Sequence, residues 1–179
     1  MRRMLAVLVT FLLLVIPARL FAKGDTVKIT IKGTDVKTPI EITDPKTLAT
    51  FNVWTGPGTG SSAPEFNPNA PSFIIDWSQG AVVGHPKGLQ RYEVSFYAKL
   101  PNEQLIYVVF YEYDPATEHG YIYLPGRTDE WYRLNVSTIF HGVEGKWFRA
   151  WSVWDDVARP LIGGAKVTAS NIGREQSPR

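Results

Sequence analysis

The chain has 179 residues, carries 19 Lys and Arg against 17 Asp and Glu, and contains no cysteine. The missing cysteine excludes a disulfide framework, thiolate chemistry and a lipidated-cysteine anchor. The small basic excess sits in Arg2, Arg3 and Arg19 near the N-terminus, and no block of like charge elsewhere points to nucleic acid or an acidic membrane surface.

The first 25 residues read MRRMLAVLVTFLLLVIPARLFAKGD. Two arginines, an apolar run over 4–16 broken only by Thr10, Pro17 and then small residues up to Ala22 are the layout of a secretory signal peptide. A membrane span needs about 20 apolar residues, and Pro17 and Arg19 interrupt this run before that length. The expected cut follows Ala22, with Leu20 larger than the small residue preferred three positions before it. The Arg2–Arg3 pair has no other twin-arginine feature beside it, so the general secretory route is expected. Removal of residues 1–22 takes three basic residues and no acid, leaving 16 against 17 and a formal charge of −1. The expectation is an exported protein, periplasmic or extracellular, with no stable membrane insertion after cleavage. A remainder of this size fits one domain, since about 150 residues bury about 70% of their unfolded surface.

TVKITIK over 26–32 alternates Val27, Ile29 and Ile31 with polar residues, and PIEIT follows after GTDVKT, so the two segments are expected to pair as a hairpin. Asp44 and Pro45 form an N-cap and first helical position for a short helix that buries Leu48 and Phe51. TGPGTGSSAPEFNPNAPS over 55–72 supports no regular element and reads as a solvated connection, with a lid or specificity loop as the functional alternative. FIIDW over 73–77 is a short apolar strand carrying Asp76. QRYEVSFYAKL, LIYVVFYEY and GYIYL, joined by PNEQ and DPATEH, predict a three-stranded meander. EWYRLNV also alternates, setting Tyr132, Leu134 and Val136 against Trp131, Arg133 and Asn135, and reads as a strand. WFRAWSVWDDVARPLI predicts a strand to about Ala150 and a short helix over 153–159 stopped by Pro160, with Ser152 and Asp155 as a weak capping box. These segments predict a mainly β fold: a single antiparallel, sandwich-like domain over 23–162 with two short helices, then a polar, disordered tail over 163–179.

Motifs that name a chemistry are missing: there is no G-x-S-x-G elbow, no H-E-x-x-H pair, no P-loop and no dinucleotide glycine fingerprint. His85, His119 and His141 each stand beside a glycine or proline turn, without the close spacing that prepares a metal site, so exposed turn histidines are expected and no metal or cofactor. Glu112 and Asp114 lie two apart on one strand face, at about 6.5 to 7 Å between Cα atoms, which a glycosidase pair tolerates. With His119 they form the catalytic alternative, weakened by the solvent-facing turn beside them. Asp155 and Asp156 read as first-turn acids favoured by the helix dipole. Asn135-Val136-Ser137 matches a glycosylation acceptor and, as a tripeptide common by chance, carries no weight.

Six Trp and eight Tyr make the chain rich in rings with polar tips. Tyr97, Tyr107, Tyr111, Tyr113, Tyr121 and Tyr123 are the candidate ligand-binding set, and the parity of the connection around 101–104 decides their side. An even connection sets Phe96 opposite Val109 and draws Tyr107 and Tyr111 into the core. An odd one turns them outward beside Tyr97. A register with Tyr113 opposite Tyr121 and Tyr111 opposite Tyr123 makes a tyrosine ladder. Ile106, Val108 and Phe110 have no polar atom to satisfy and so weakly favour tyrosines outside, while half-burial under the 55–72 loop is the blander outcome. The functional expectation is a non-catalytic exported protein that binds a carbohydrate or an envelope partner through an aromatic sheet face. A secreted hydrolase and a structural envelope component without ligand are the alternatives.

Overall fold

A computed structural model describes residues 24–59 and 72–175, with side chains to residue 166; residues 1–23, where a signal peptide is expected, 60–71 of the long connection and 176–179 lie outside this range. The fold is mainly β. One antiparallel sheet holds six strands in the order β2-β1-β3-β4-β5-β6: β1 Thr26–Gly33, β2 Ile40–Ile42, β3 Arg91–Lys99, β4 Glu103–Asp114, β5 His119–Tyr123 and β6 Trp147–Arg149. Three helices accompany it among the described residues, α1 Pro45–Thr50, α2 Tyr132–Thr138 and α3 Ser152–Glu175, with a 3-10 turn at Trp77–Gln79.

The β1–β2 hairpin forms with Ile29 opposite Ile42 and Ile31 opposite Ile40, so the alternating isoleucines share the inner face. The Asp44 side chain accepts from Thr47 N at 2.8 Å and from Thr47 Oγ1 at 2.7 Å, capping α1 behind Pro45. Across the meander the inner face carries Ile29 and Ile31, then Tyr92, Val94, Phe96 and Ala98, then Tyr107, Val109 and Tyr111. Leu48, Phe51, Phe73, Ile75 and the α3 residues Trp154, Ala158 and Ile162 cover that face. The last three recur at four-residue spacing, one stripe of a helix.

The side of the tyrosines is set by a bulge rather than by loop length alone. Lys99 pairs with Glu103 across a three-residue connection, and Ala98 with Gln104. That odd register would carry Ile106 inward and the tyrosines outward. Between Phe96 and Tyr97 the register shifts by one residue, Ile106 is left unpaired, and Phe96 meets Tyr107. From there on Val109 opposes Val94 and Tyr111 opposes Tyr92 inside the core.

Four expectations are corrected. Residues 132–138 are helical, not a strand, because Asn135 and Ile139, four apart, are the buried positions. Segment 73–77 makes only an isolated bridge, Ile75 to Ala150, before Asp76 caps the 3-10 turn. The tyrosine ladder does not form: Glu112 opposes Tyr121 and Phe110 opposes Tyr123, which puts Tyr121 and Tyr123 on the outer face. Helix α3 does not stop at Pro160 but continues to Glu175, so its backbone is helical through the first part of the expected tail. Helices tolerate an internal proline when flanking turns pack, and Ala158 and Ile162 on either side are buried.

Candidate functional site

The outer face of β4, β5 and β6 collects rings and charges that no single segment displays. Register places Phe110 beside Tyr123 and Tyr123 beside Trp147. Their ring centroids are 6.4 Å and 5.0 Å apart, the first pair stacked and the second tilted, and all three side chains are half-buried. The segment after the 3-10 turn runs along the edge of β6, where Ala81 bridges Phe148 and Val82 N donates to the Trp147 carbonyl. It then delivers His85, whose imidazole stacks on Trp147 at 3.6 Å and 11° and meets Tyr121 edge-on at 5.1 Å. Val83, next to it, is fully exposed.

Beneath this layer lies Glu112, 3% exposed. Its Oε1 accepts from Arg91 Nε at 2.7 Å, and its Oε2 lies 3.2 Å from His85 Nε2 without hydrogen-bond alignment. Burial pushes the His85 imidazole below its ordinary value, with Arg91 adding to that shift and Glu112 opposing it, so Arg91 is the cation that matches Glu112 at neutral pH. The Arg91 guanidinium stands 5.5 Å from both the Phe110 and the Trp147 rings. Arg149 lies 4.7 Å over Tyr121 and donates to its hydroxyl at 2.9 Å. Tyr123 donates to Asp129 Oδ2 at 2.9 Å, and burial raises its pKa.

For the catalytic alternative, the register sets Asp114 opposite His119 with Glu112 two residues along the same face, but both carboxylates are engaged elsewhere. Glu112 is held by Arg91. Asp114 turns into the β4–β5 hairpin, accepting from Ala116 N at 2.9 Å and Thr117 Oγ1 at 2.8 Å, and the Thr117 bond above all holds its carboxyl below the usual range. Exposed His119 pairs with Asp114 in the strand register at the hairpin end.

No family model matches the chain. No curated protein and no solved structure matches it either.

The six candidate tyrosines divide into three groups. Tyr107 and Tyr111 are fully buried in the core. Tyr113, on the same inner face, is half-buried under the Arg159 guanidinium, 4.1 Å from its ring. Tyr121 and Tyr123 belong to the outer face, where Tyr97 also lies, far along β3 with Lys28 over its ring at 4.5 Å. The residues that complete the outer cluster, His85, Arg91, Phe110 and Trp147, come from separate segments. Alternation along β3 puts Arg91 on the face opposite Tyr92 and Val94.

Two histidines are not exposed turn residues. His85 is packed on Trp147, and His141 is buried, its Nδ1 hydrogen-bonded to the Pro57 carbonyl at 2.5 Å. That bond ties the start of the long connection to the core, where Gly56, at φ +103°, lies against the Trp77 indole with no room for a Cβ. Asp155 is likewise more than a first-turn acid. It is buried, accepts from the Tyr111 hydroxyl at 2.8 Å and from Gly120 N at 3.0 Å, and burial raises its pKa.

Proposed function

We propose that this is an exported, non-catalytic binding protein that takes carbohydrate on the outer face of β4, β5 and β6. The observation that carries the reading is the half-exposed row Phe110, Tyr123 and Trp147, with His85 stacked on its end and Arg91 beside it. Sugar rings present apolar C–H faces that stack on aromatic rings and hydroxyl rims that need planar donors and acceptors. Arg91 supplies such donors and is fixed by its bond to the buried Glu112, which lowers the ordering cost of binding. Export rests on the leader over residues 1–22. The non-catalytic reading is supported by the two strand carboxylates, which are already engaged: Glu112 by Arg91, and Asp114 by its own turn.

A glycan array probed with the purified protein tests this, repeated with Tyr123→Ala and Trp147→Ala. The expected result is a restricted set of glycans bound by the wild type and lost in both variants, with each variant still folded. Wild-type protein that binds no glycan, or variants that bind as well as wild type, would overturn the proposal and leave the structural envelope reading in its place.

A further inference from the structure

On the opposite face of the sheet, where β3 begins and β4 ends, α3 crosses the rim and leaves a groove of about 470 Å³. Its size falls in the range of about 300 to 1,000 Å³ typical of small-molecule sites. Tyr92, Tyr111, Tyr113, Pro115 and Ile162 form its walls, and Arg159 and Lys166, seven apart on one helix face, supply its charges.

The two cations are not equivalent. Lys166 Nζ is 2.8 Å from Asp35 Oδ2, which also accepts from the Tyr92 hydroxyl at 2.9 Å, so that ammonium is already matched. Arg159 lies over the Tyr113 ring and has no carboxylate within 4 Å among the described residues. Asp155, the nearest buried acid, is engaged with Tyr111 and Gly120 and feels the Arg159 charge, and Asp156 lines a neighbouring groove together with Asp155, Arg159 and Pro160. The Tyr113 hydroxyl is shielded from solvent and has no hydrogen-bond partner among the described residues. A guanidinium with no carboxylate in ion-pair contact thus stands over an aromatic ring at the rim of this groove.

We propose that this groove is a second binding site, for a small oxyanion on a flat apolar body. The guanidinium fork receives the anionic head in a bidentate pair, and the body lies against the accessible rim of the groove at Tyr113, Pro115 and Leu89. The site stands apart from the outer-face row and does not depend on it.

The test is a titration of the isotope-labelled protein with benzoate, phenyl phosphate and benzyl alcohol, followed through backbone amide shifts. Benzoate or phenyl phosphate should shift amides at 113–115 and 159–166 saturably, and the tighter of the two identifies the head group as carboxylate or phosphate. Arg159→Gln should weaken that binding about tenfold or more, the loss expected for a charge-assisted pair. Tyr113→Ala should weaken it severalfold, and Trp147→Ala on the other face should leave it unchanged. Arg159 is exposed, so thermal melting of Arg159→Gln should match wild type and exclude misfolding as the cause. Equal binding of benzyl alcohol, no saturable shift with either anion, or full binding by Arg159→Gln would each overturn the proposal.

Discussion

On the inner face of β4, Tyr107 and Tyr111 are fully covered by Phe73 and Trp154, while on the outer face of the same meander Tyr121 and Tyr123 sit among Arg149, Trp147 and Asp129. The residue type is the same and the strands are neighbours, yet the first pair is core packing, while Tyr121, buried under His85 and Arg149, and half-buried Tyr123 belong to a polar, partly open surface. What separates them is the β4–β5 register, which sets Glu112 opposite Tyr121, and the single unpaired residue at Ile106 decides which of the two faces turns to the core. Tyrosine suits both roles because its ring fills volume and its hydroxyl can find a buried acceptor, as Tyr111 finds Asp155, or one at the surface, as Tyr123 finds Asp129, while the buried Tyr107 hydroxyl has no partner among the described residues.

The comparison is broken most severely at Tyr111. Tyr111→Ala should cost about 3 to 5 kcal/mol, the range for truncating a large buried ring, read as a lower midpoint in urea unfolding. Asn135→Ala comes next. The Asn135 amide accepts from Val108 N at 2.9 Å and donates to the Val108 carbonyl at 2.6 Å, standing in for a strand where β5 has ended. Continuing the β4–β5 register would place Pro125 opposite Val108, and proline has no N–H to donate. Removing the amide leaves two buried backbone groups unpaired, an expected loss of about 2 to 3 kcal/mol.

Gly120 sharpens the inner side of the comparison. A Cβ there would lie 2.0 Å from Asp155 Oδ1 and 2.7 Å from the Tyr111 ring. Gly120→Ala should therefore cost about 1 to 3 kcal/mol by overpacking, measured by the same unfolding midpoint.

Why the two faces could not be assigned from sequence follows from these same residues. Hairpin β1–β2, the Asp44–Pro45 cap and the three long strands were legible because each depends on neighbours in the chain. The bulge was not, since Ile106 and Tyr107 are both apolar enough to be buried, and both are. Helix α2 was misread because Tyr132, Leu134 and Val136 alternate like a strand, while the residue that decides its packing is a polar one, Asn135. The outer cluster was half visible: Tyr121, Tyr123 and Glu112 stood out, whereas Trp147 was read only for its own element, and Arg91 and His85 join it through a connection whose path no local pattern encodes.

A smaller effect separates the covered histidine from the surface one. Burial pushes His141 below its ordinary value of 6.5, against the Pro57 carbonyl and Glu144. The unfolded chain therefore takes up this proton first. Its contribution to stability is full above about pH 6.5 and drains away as pH falls toward the folded value, by up to about 1.4 kcal/mol per pH unit. Asp155, raised by burial, acts in the opposite sense, since its native state holds the proton more tightly than the unfolded chain. The readout is therefore a difference. Between pH 7 and 5.5, His141→Asn should lose less stability than wild type, whereas equal slopes would contradict the assignment. Tyr123→Ala is the mildest of the set, with an expected stability loss of about 1 kcal/mol or less for a half-buried surface ring, although glycan binding should disappear.

Oxidative footprinting of the aromatic residues, performed with and without the glycan selected by the array, tests the division of the faces and its functional meaning together. The expected result is that Tyr123 and Trp147 react in the free protein and are protected by the glycan, while Tyr107 and Tyr111 stay unreactive in both states. Reactive Tyr107 and Tyr111 in the native protein, or Tyr123 and Trp147 equally reactive with and without glycan, would contradict it.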